Sequence, residues 1–165
     1  MTYTKLILIA FCLLLTLNLS AQSSKLIGKP APDIHFTDVL NDTQTSYKLS
    51  DFKGKVVIID FWATWCGPCV VGLPRLESWQ KKYPDKLKVI TIASDSRSRL
   101  QKFLKNKPIG LPIALDSVDK YEKYFPHRAI PHTVIIDKNG IVRAISAGDQ
   151  LTDINIDLLI KGKKV

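Results

Sequence analysis

The chain has 165 residues, of which 45% are hydrophobic and 24% are charged, and its formal net charge is +9 at pH 7. Its basic residues are scattered and are not interleaved with aromatic residues. This argues against nucleic-acid binding and indicates a solvated basic surface with a weak attraction to acidic partners or anionic lipid. No internal repeat or low-complexity tract is present. Length and composition therefore predict one domain with a substantial hydrophobic core.

The first residues have the pattern of a secretory signal. Lys5 supplies a positive charge, residues 6–17 are apolar and small residues precede Gln22. We therefore expect residues 1–21 to be a signal peptide and residues 22–165 to be the exported domain. The apolar run is shorter than the roughly 20 residues of a membrane span, but an uncleaved anchor is the alternative.

The cysteine count points to redox chemistry. Cys12 lies in the predicted signal, so the exported domain keeps only Cys66 and Cys69. A structural framework in an exported protein normally uses more cysteines at wider spacing. One close pair without a third thiol is typical of a redox centre.

The segment before the centre of the chain is predicted to be extended. The prolines in residues 28–33 bar a helix at and before their positions. Residues 35–38 and 45–49 have the pattern of the two arms of a β-hairpin, with its turn at residues 41–42. Residues 50–55 form a turn that leads into the next strand.

The central segment combines a strand with a helix. Residues 55–62 form a β-branched apolar run, which predicts a buried strand. Residues 66–83 are predicted to be a helix with a buried stripe, and Pro74 should kink it. The stripe consists of Leu73, Leu76 and Trp79.

The two cysteines therefore lie where a strand passes into a helix N-terminus. Unpaired backbone N–H groups and the positive end of the helix dipole favour a thiolate there. A thiolate attacks disulfides, and a second cysteine three residues later can resolve the mixed disulfide.

The second half of the chain alternates strands and helices, which predicts a βαβ unit with a right-handed crossover and parallel strands. Asn139 and Gly140 lie between two apolar runs and predict a hairpin turn. Thr152 is expected to cap a final helix that extends to about residue 160. The remaining predicted elements are a strand at 87–93, a helix at 97–105 capped by Asp95 and Ser96, a short strand within 108–115, a short helix at 118–125 and strands at 130–137 and 141–146.

The segment Trp65 to Cys69, WCGPC after an apolar strand, resembles the active-site segment of thioredoxins. Residues 28–148 are similar to bacterial envelope thiol-disulfide oxidoreductases of the TlpA/ResA type. The resemblance implies a thioredoxin-like α/β fold, in which a central mixed sheet is flanked by helices on both faces and an N-terminal β-hairpin is added. It also implies disulfide exchange in the periplasm or cell envelope.

The resemblance assigns roles around the cysteines. Cys66 is expected to be the nucleophile and Cys69 the resolving thiol. Pro131 is expected to follow a cis peptide bond, to pack against both cysteines and to lead into an edge strand. The backbone of Ile130 is expected to pair with the substrate peptide as an added strand.

Other residues of the motif are expected to shape the contact with substrate. Trp65 shields the cysteines and offers a flat apolar surface to partners. Gly67 is a small residue of the loop, and Pro68 between the cysteines accompanies reducing pairs in this family.

Asp60 ends an otherwise apolar strand, which is costly unless its environment compensates. In thioredoxins the matching aspartate lies behind the second cysteine and takes its proton. TlpA-type proteins usually have asparagine there, and some use a glutamate three residues past the second cysteine, where this chain has Gly72. Asp60 is therefore the predicted proton acceptor, and a partly solvated polar residue is the alternative.

The implied reaction is the reduction of disulfides in exported proteins, apocytochrome c among the expected substrates. The electrons reside in the cysteine pair, so no cofactor is expected, and a membrane electron donor is needed to restore the dithiol. A dithiol oxidase, a copper-binding carrier and a non-catalytic peptide-binding module stay open as alternatives. A peroxidase is disfavoured because WCGPC holds the only cysteines after the proline-rich entry.

The sequence contains one candidate set of metal ligands that combines the two cysteines with two histidines. Cys66 and Cys69 together with His127 and His132 contain an H-x4-H spacing, but the gap between the pairs is far longer than in a zinc finger. His132 follows Pro131 and so could lie near the cysteines. We predict no metal ligands.

Overall fold

A computed structural model describes residues 25–146 and 151–163. The predicted signal peptide lies outside these residues. Within them, no helix is both long and apolar enough to cross a membrane.

A six-stranded mixed sheet forms the centre of the molecule, with the spatial order β2-β6-β5-β4-β7-β8. β4 is parallel to β5, and β5 is parallel to β6. β7 is antiparallel to both β4 and β8, and β2 is antiparallel to β6. The strands are β1 (His35–Thr37), β2 (Val39–Leu40), β3 (Ser46–Lys48), β4 (Val56–Trp62), β5 (Leu87–Ala93), β6 (Ile113–Leu115), β7 (His132–Ile136) and β8 (Val142–Ser146).

The predicted central strand and active-site helix are confirmed. Every residue of β4 is buried, as a β-branched apolar run requires in the middle of an α/β sheet. Successive side chains point to opposite faces, so the sheet has two separate apolar clusters. Val56, Ile58 and Trp62 belong to one cluster, and Val57 and Ile59 belong to the other.

In the part of the chain that the structure describes, three α-helices cover the first of these faces and contribute buried residues to its cluster. They are α1 (Gly67–Lys82), α2 (Arg97–Asn106) and α3 (Asp153–Ile160). The predicted stripe of α1 is buried there, and Pro74 lies within the helix on its exposed side. Thr152 caps α3 through a hydrogen bond from the Asn155 N–H. α3 is tied to α1 by the Trp79 indole, which donates to Asp153 over 2.5 Å.

The other face was expected to carry helices as well, but within the described residues it has no α-helix and is covered mainly by the N-terminal extension. The predicted hairpin arms pair as β1 and β3, with Phe36 opposite Tyr47. A short 3-10 helix, Leu49–Phe52, follows them. The segment between the arms is more than a turn, because β2 crosses to the main sheet and pairs with β6.

The prediction of a short helix at residues 118–125 is wrong. Residues 118–125 form turns and no helix. The Asp116 carboxylate accepts hydrogen bonds from the N–H groups of Lys120 and Tyr121, and Asp119 has a φ of 53°, which a right-handed helix excludes. Tyr121 and Phe125 are nevertheless buried in the apolar cluster that contains Val57 and Ile59.

The strand that follows Pro131 was expected to be an edge strand, but β7 lies between β4 and β8. The predicted turn at Asn139 and Gly140 is the reason. It returns the chain antiparallel to β7, so β8 takes the edge. Gly140 has a φ of 80°, a conformation that glycine adopts without a steric penalty.

Candidate active site

The candidate redox pair lies at the point predicted for it. Cys66 and Cys69 are joined by a disulfide. Cys66 is the N-cap residue of α1 and Cys69 lies in its first turn. The exposed fractions are 5% for Cys66 and 2% for Cys69, so the first cysteine is the more accessible of two buried residues.

The backbone favours a charge on the first sulfur. The Cys69 N–H donates to Cys66 Sγ over 3.3 Å. This N–H is one of the donors that a helix N-terminus leaves without a partner in the helix. After reduction of the disulfide, the same donor and the helix dipole stabilise a thiolate on Cys66.

An exposed surface surrounds the disulfide. Trp65 is 66% exposed, and Gly67 and Pro68 are exposed beside it. Val71, one helical turn after Gly67, is 81% exposed. Sequence reasoning missed Val71, although an apolar residue outside the buried stripe of α1 was a usable signal.

The loop before β7 lies at the same end of the sheet as the disulfide. The predicted cis peptide bond between Ile130 and Pro131 is confirmed. Because β7 is antiparallel to β4, the start of β7 is beside the end of β4 that leads to Cys66. Ile130 packs against the apolar cluster that contains both cysteines. Within residues 25–146 and 151–163, its main chain has no hydrogen bond to another main-chain group.

Asp60 is buried rather than partly solvated, so the alternative for this residue is wrong. Only 4% of it is exposed, and strand alternation places its side chain on the face of β4 that α1 covers. Burial raises the pKa of its carboxyl group to about 7, which means that desolvation outweighs two stabilising contacts. These are a hydrogen bond from Thr133 Oγ1 to Asp60 Oδ1 of 2.6 Å and the positive charge of Arg75 on α1.

Asp95 is a further residue of the site that sequence reasoning missed. It was predicted to share in capping α2, but the N-cap is Ser96. The Asp95 carboxylate instead accepts from Thr64, from the N–H over 2.6 Å and from the hydroxyl over 2.8 Å. Arg99 lies 4.0 Å from it. Asp95 thus holds the loop between β4 and the redox pair.

We expect Asp95→Ala to destabilise the protein by about 1–3 kcal/mol, because two donors of Thr64 lose a buried acceptor. Disulfide exchange should slow as well, since Thr64 precedes Trp65 and Cys66. Urea unfolding and an exchange assay measure the two effects. Asp95→Asn keeps one acceptor oxygen and should lie between wild type and Asp95→Ala. Equal stability of all three proteins would contradict this role.

His132 does not lie on the side of the cysteines. Its ring packs against Phe61 and stacks on His127, with ring centroids 4.6 Å apart, on the opposite face of the sheet. Burial and the neighbouring His127 lower the pKa of His132 to about 4, which keeps the ring neutral. Across the described residues, no three His, Cys, Asp or Glu side chains are grouped to hold a metal ion. The expectation that His132 could join the cysteines is therefore wrong.

The sequence matches the model of the AhpC/TSA family over residues 27–145. The thioredoxin-like protein YneN of Bacillus subtilis is 33% identical over 125 residues, which cover 73% of this chain and 71% of that protein. The thiol-disulfide oxidoreductase ResA of Bacillus cereus is 32% identical over 133 residues, 79% of this chain and 75% of that protein.

A solved structure shares the fold. It is a candidate thiol:disulfide interchange protein DsbE from Chlorobium tepidum, with a TM-score of 0.67 and 29% identity, and the match covers 82% of this chain and 93% of that one. The chain therefore belongs to the AhpC/TSA family, has the thioredoxin-like fold and is a thiol-disulfide oxidoreductase.

Proposed function

We propose that this protein reduces disulfides of exported proteins through Cys66 and Cys69. The Cys66 thiolate attacks one sulfur of the substrate disulfide, and the other substrate sulfur leaves as a thiolate that water protonates. Cys69 then attacks Cys66 Sγ, which forms the internal disulfide and releases the second substrate sulfur. Two electrons pass from the cysteine pair to the substrate. The observation that carries this proposal is the helix-capping position of Cys66, whose sulfur accepts the Cys69 N–H.

The surface around the disulfide is suited to a peptide. Trp65 offers an exposed apolar face, and Gly67 and Pro68 are exposed next to Cys66 in the chain. The main chain of Ile130, beside the cis-proline, is available to pair with an extended substrate segment. Pro131 has no N–H and therefore offers no main-chain donor to such a segment.

Asp60 is the proposed proton acceptor for Cys69. A resolving thiol must lose its proton before it attacks, and a carboxylate whose pKa is near neutral is suited to take it. The pKa of about 7 meets that requirement, and α1 brings Cys69 to the same face of the sheet.

The proposed location is the periplasm or cell envelope, supported by the signal-like pattern of residues 1–21. There the partners are disulfide-containing exported proteins, with apocytochrome c as one candidate. Each turnover leaves the pair oxidised, so a membrane electron donor is needed to restore the dithiol.

The reduction potential of the cysteine pair tests the direction of the reaction. We expect a value near −270 mV, as for thioredoxin, because the two proteins share the WCGPC segment. Equilibration with dithiothreitol and glutathione buffers, followed by alkylation of free thiols, measures it. A value near −120 mV, as for DsbA, would identify a dithiol oxidase with the same site.

A further inference from the structure

A row of three polar side chains crosses the sheet beneath α1. Thr91 of β5 and Thr133 of β7 are the register partners of Asp60 on its two sides. Both threonines are buried, and the neighbouring Ile58 and Ile135 on this face are apolar. Polar residues in such a setting need partners, because burial without a hydrogen bond is costly.

The two threonines use their hydroxyl groups differently. Thr91 Oγ1 donates to the carbonyl oxygen of Pro112 over 3.0 Å. Thr133 Oγ1 donates to Asp60 Oδ1 over 2.6 Å. A β-branched residue in a strand is ordinary, but a hydroxyl directed at a buried carboxyl group is a specific arrangement.

We propose that Thr133 is a positioning residue of the reaction: its hydroxyl fixes Asp60 Oδ1 and so presents Oδ2 as the oxygen that accepts the proton of Cys69. The inference rests on the proposed role of Asp60. In this step the S–H bond of Cys69 breaks and Oδ2 gains the proton. The Cys69 thiolate then attacks Cys66 Sγ, the mixed disulfide breaks and the substrate sulfur leaves as a thiolate. Asp60 afterwards returns the proton to solvent.

The hydroxyl also sets the pH range of this transfer. A donor to a carboxylate stabilises the charged form and lowers its pKa, against the effect of burial. Besides burial, two groups act on the Asp60 carboxyl group: the Thr133 hydroxyl on β7 and the positive charge of Arg75 on α1. Without the Thr133 hydroxyl, only the charge of Arg75 still counters the effect of burial. The pKa of Asp60 should therefore rise.

The test compares Thr133→Val with Thr133→Ser. Valine has the shape of threonine but no hydroxyl, whereas serine keeps the hydroxyl. Reduced protein is mixed with one equivalent of 5,5′-dithiobis(2-nitrobenzoate) between pH 5 and 9. The first thionitrobenzoate released reports attack by Cys66, and the second reports attack by Cys69 on the mixed disulfide.

We expect Thr133→Val to move the midpoint of the second phase upward by about one pH unit, which slows this phase about fivefold at pH 7 and restores it at pH 9. The first phase should be unchanged. Thr133→Ser should keep the wild-type profile. In an Asp60→Asn background, Thr133→Val should cause no further change. Thr133→Ala replaces the valine variant if that protein does not fold.

The outcomes separate the two proposals. If Asp60→Asn leaves the second phase unchanged, the role of Asp60 fails and the inference fails with it. If Asp60→Asn alters the profile while the variant without the hydroxyl behaves as wild type, only the inference fails. Equal slowing at every pH in both Thr133 variants would show a packing role and would also overturn the inference.

Discussion

Replacing Cys69 with serine is expected to stop the reaction at the mixed disulfide. Cys66 keeps its helix-capping position and remains the more accessible cysteine of the pair, so it can still attack a substrate disulfide. No second thiol is then available to release the product. A covalent one-to-one complex between Cys69→Ser and a disulfide substrate should accumulate on a non-reducing gel and disappear when dithiothreitol is added.

Cys66→Ser is the matched control for this experiment. It should form no adduct and should reduce substrate only at the uncatalysed rate, since a serine hydroxyl is not ionised near neutral pH. Both variants should stay folded, because a disulfide that closes so short a loop contributes little through chain entropy. Multiple turnover by Cys69→Ser would contradict the proposed roles. An adduct of Cys66→Ser would show that Cys69 attacks the substrate.

Much of the fold could be predicted because local signals agree with the tertiary structure. The strand β4 and the helix α1 are consecutive, and each has the periodicity of its own element. The hairpin at Gly140 follows from two residues that favour its turn. The helix predicted at residues 118–125 is wrong because the apolar spacing there fits a helix, whereas the Asp116 carboxylate holds the backbone in a turn. Aspartate often competes with helices in this way.

The cysteine pair could be predicted from the WCGPC segment after an apolar strand, but the contacts between the side chains around it could not. Asp60 and Thr133 lie 73 residues apart in sequence, and their contact depends on the antiparallel register of β4 and β7. Thr64 and Asp95 meet across 31 residues for a similar reason. A shift of one residue in either register would turn these side chains to the other face. Because β4 is buried at every position, it has no polar–apolar alternation from which its register could be predicted.

His132 illustrates the same limit. It follows Pro131 directly, which suggests proximity to the cysteines. However, the side chains of a strand alternate between its two faces. Thr133 is the residue that faces α1, and His132 turns away to stack on His127. Proximity in sequence to Pro131 therefore identified the correct loop near the cysteines, but it selected His132 where Thr133 is the residue that faces α1.

Replacing Asp60 with asparagine is expected to stabilise the disulfide form of the protein at pH 8. The pKa of the folded carboxyl group is about 7, against an ordinary value of 3.8. Between these pH values the folded state keeps a proton on Asp60 that the unfolded state has lost. The free energy of unfolding therefore has its full value below about pH 4 and decreases as the pH rises from there through 7. This difference in pKa corresponds to a destabilisation of up to about 4 kcal/mol above pH 7. Asparagine has nearly the same shape and carries no charge, so it should remove that loss.

Urea unfolding of the oxidised protein at several pH values between 4 and 8 measures this effect. The free energy of unfolding of wild type should decrease relative to that of Asp60→Asn as the pH rises, and the two should converge near pH 4. Asp85→Asn removes the same charge from an exposed position and should follow wild type at every pH. A difference between wild type and Asp60→Asn that does not vary with pH would contradict the raised pKa. The stabilised variant should also be the slower reductase, because the same buried charge that weakens the fold is the base proposed for Cys69.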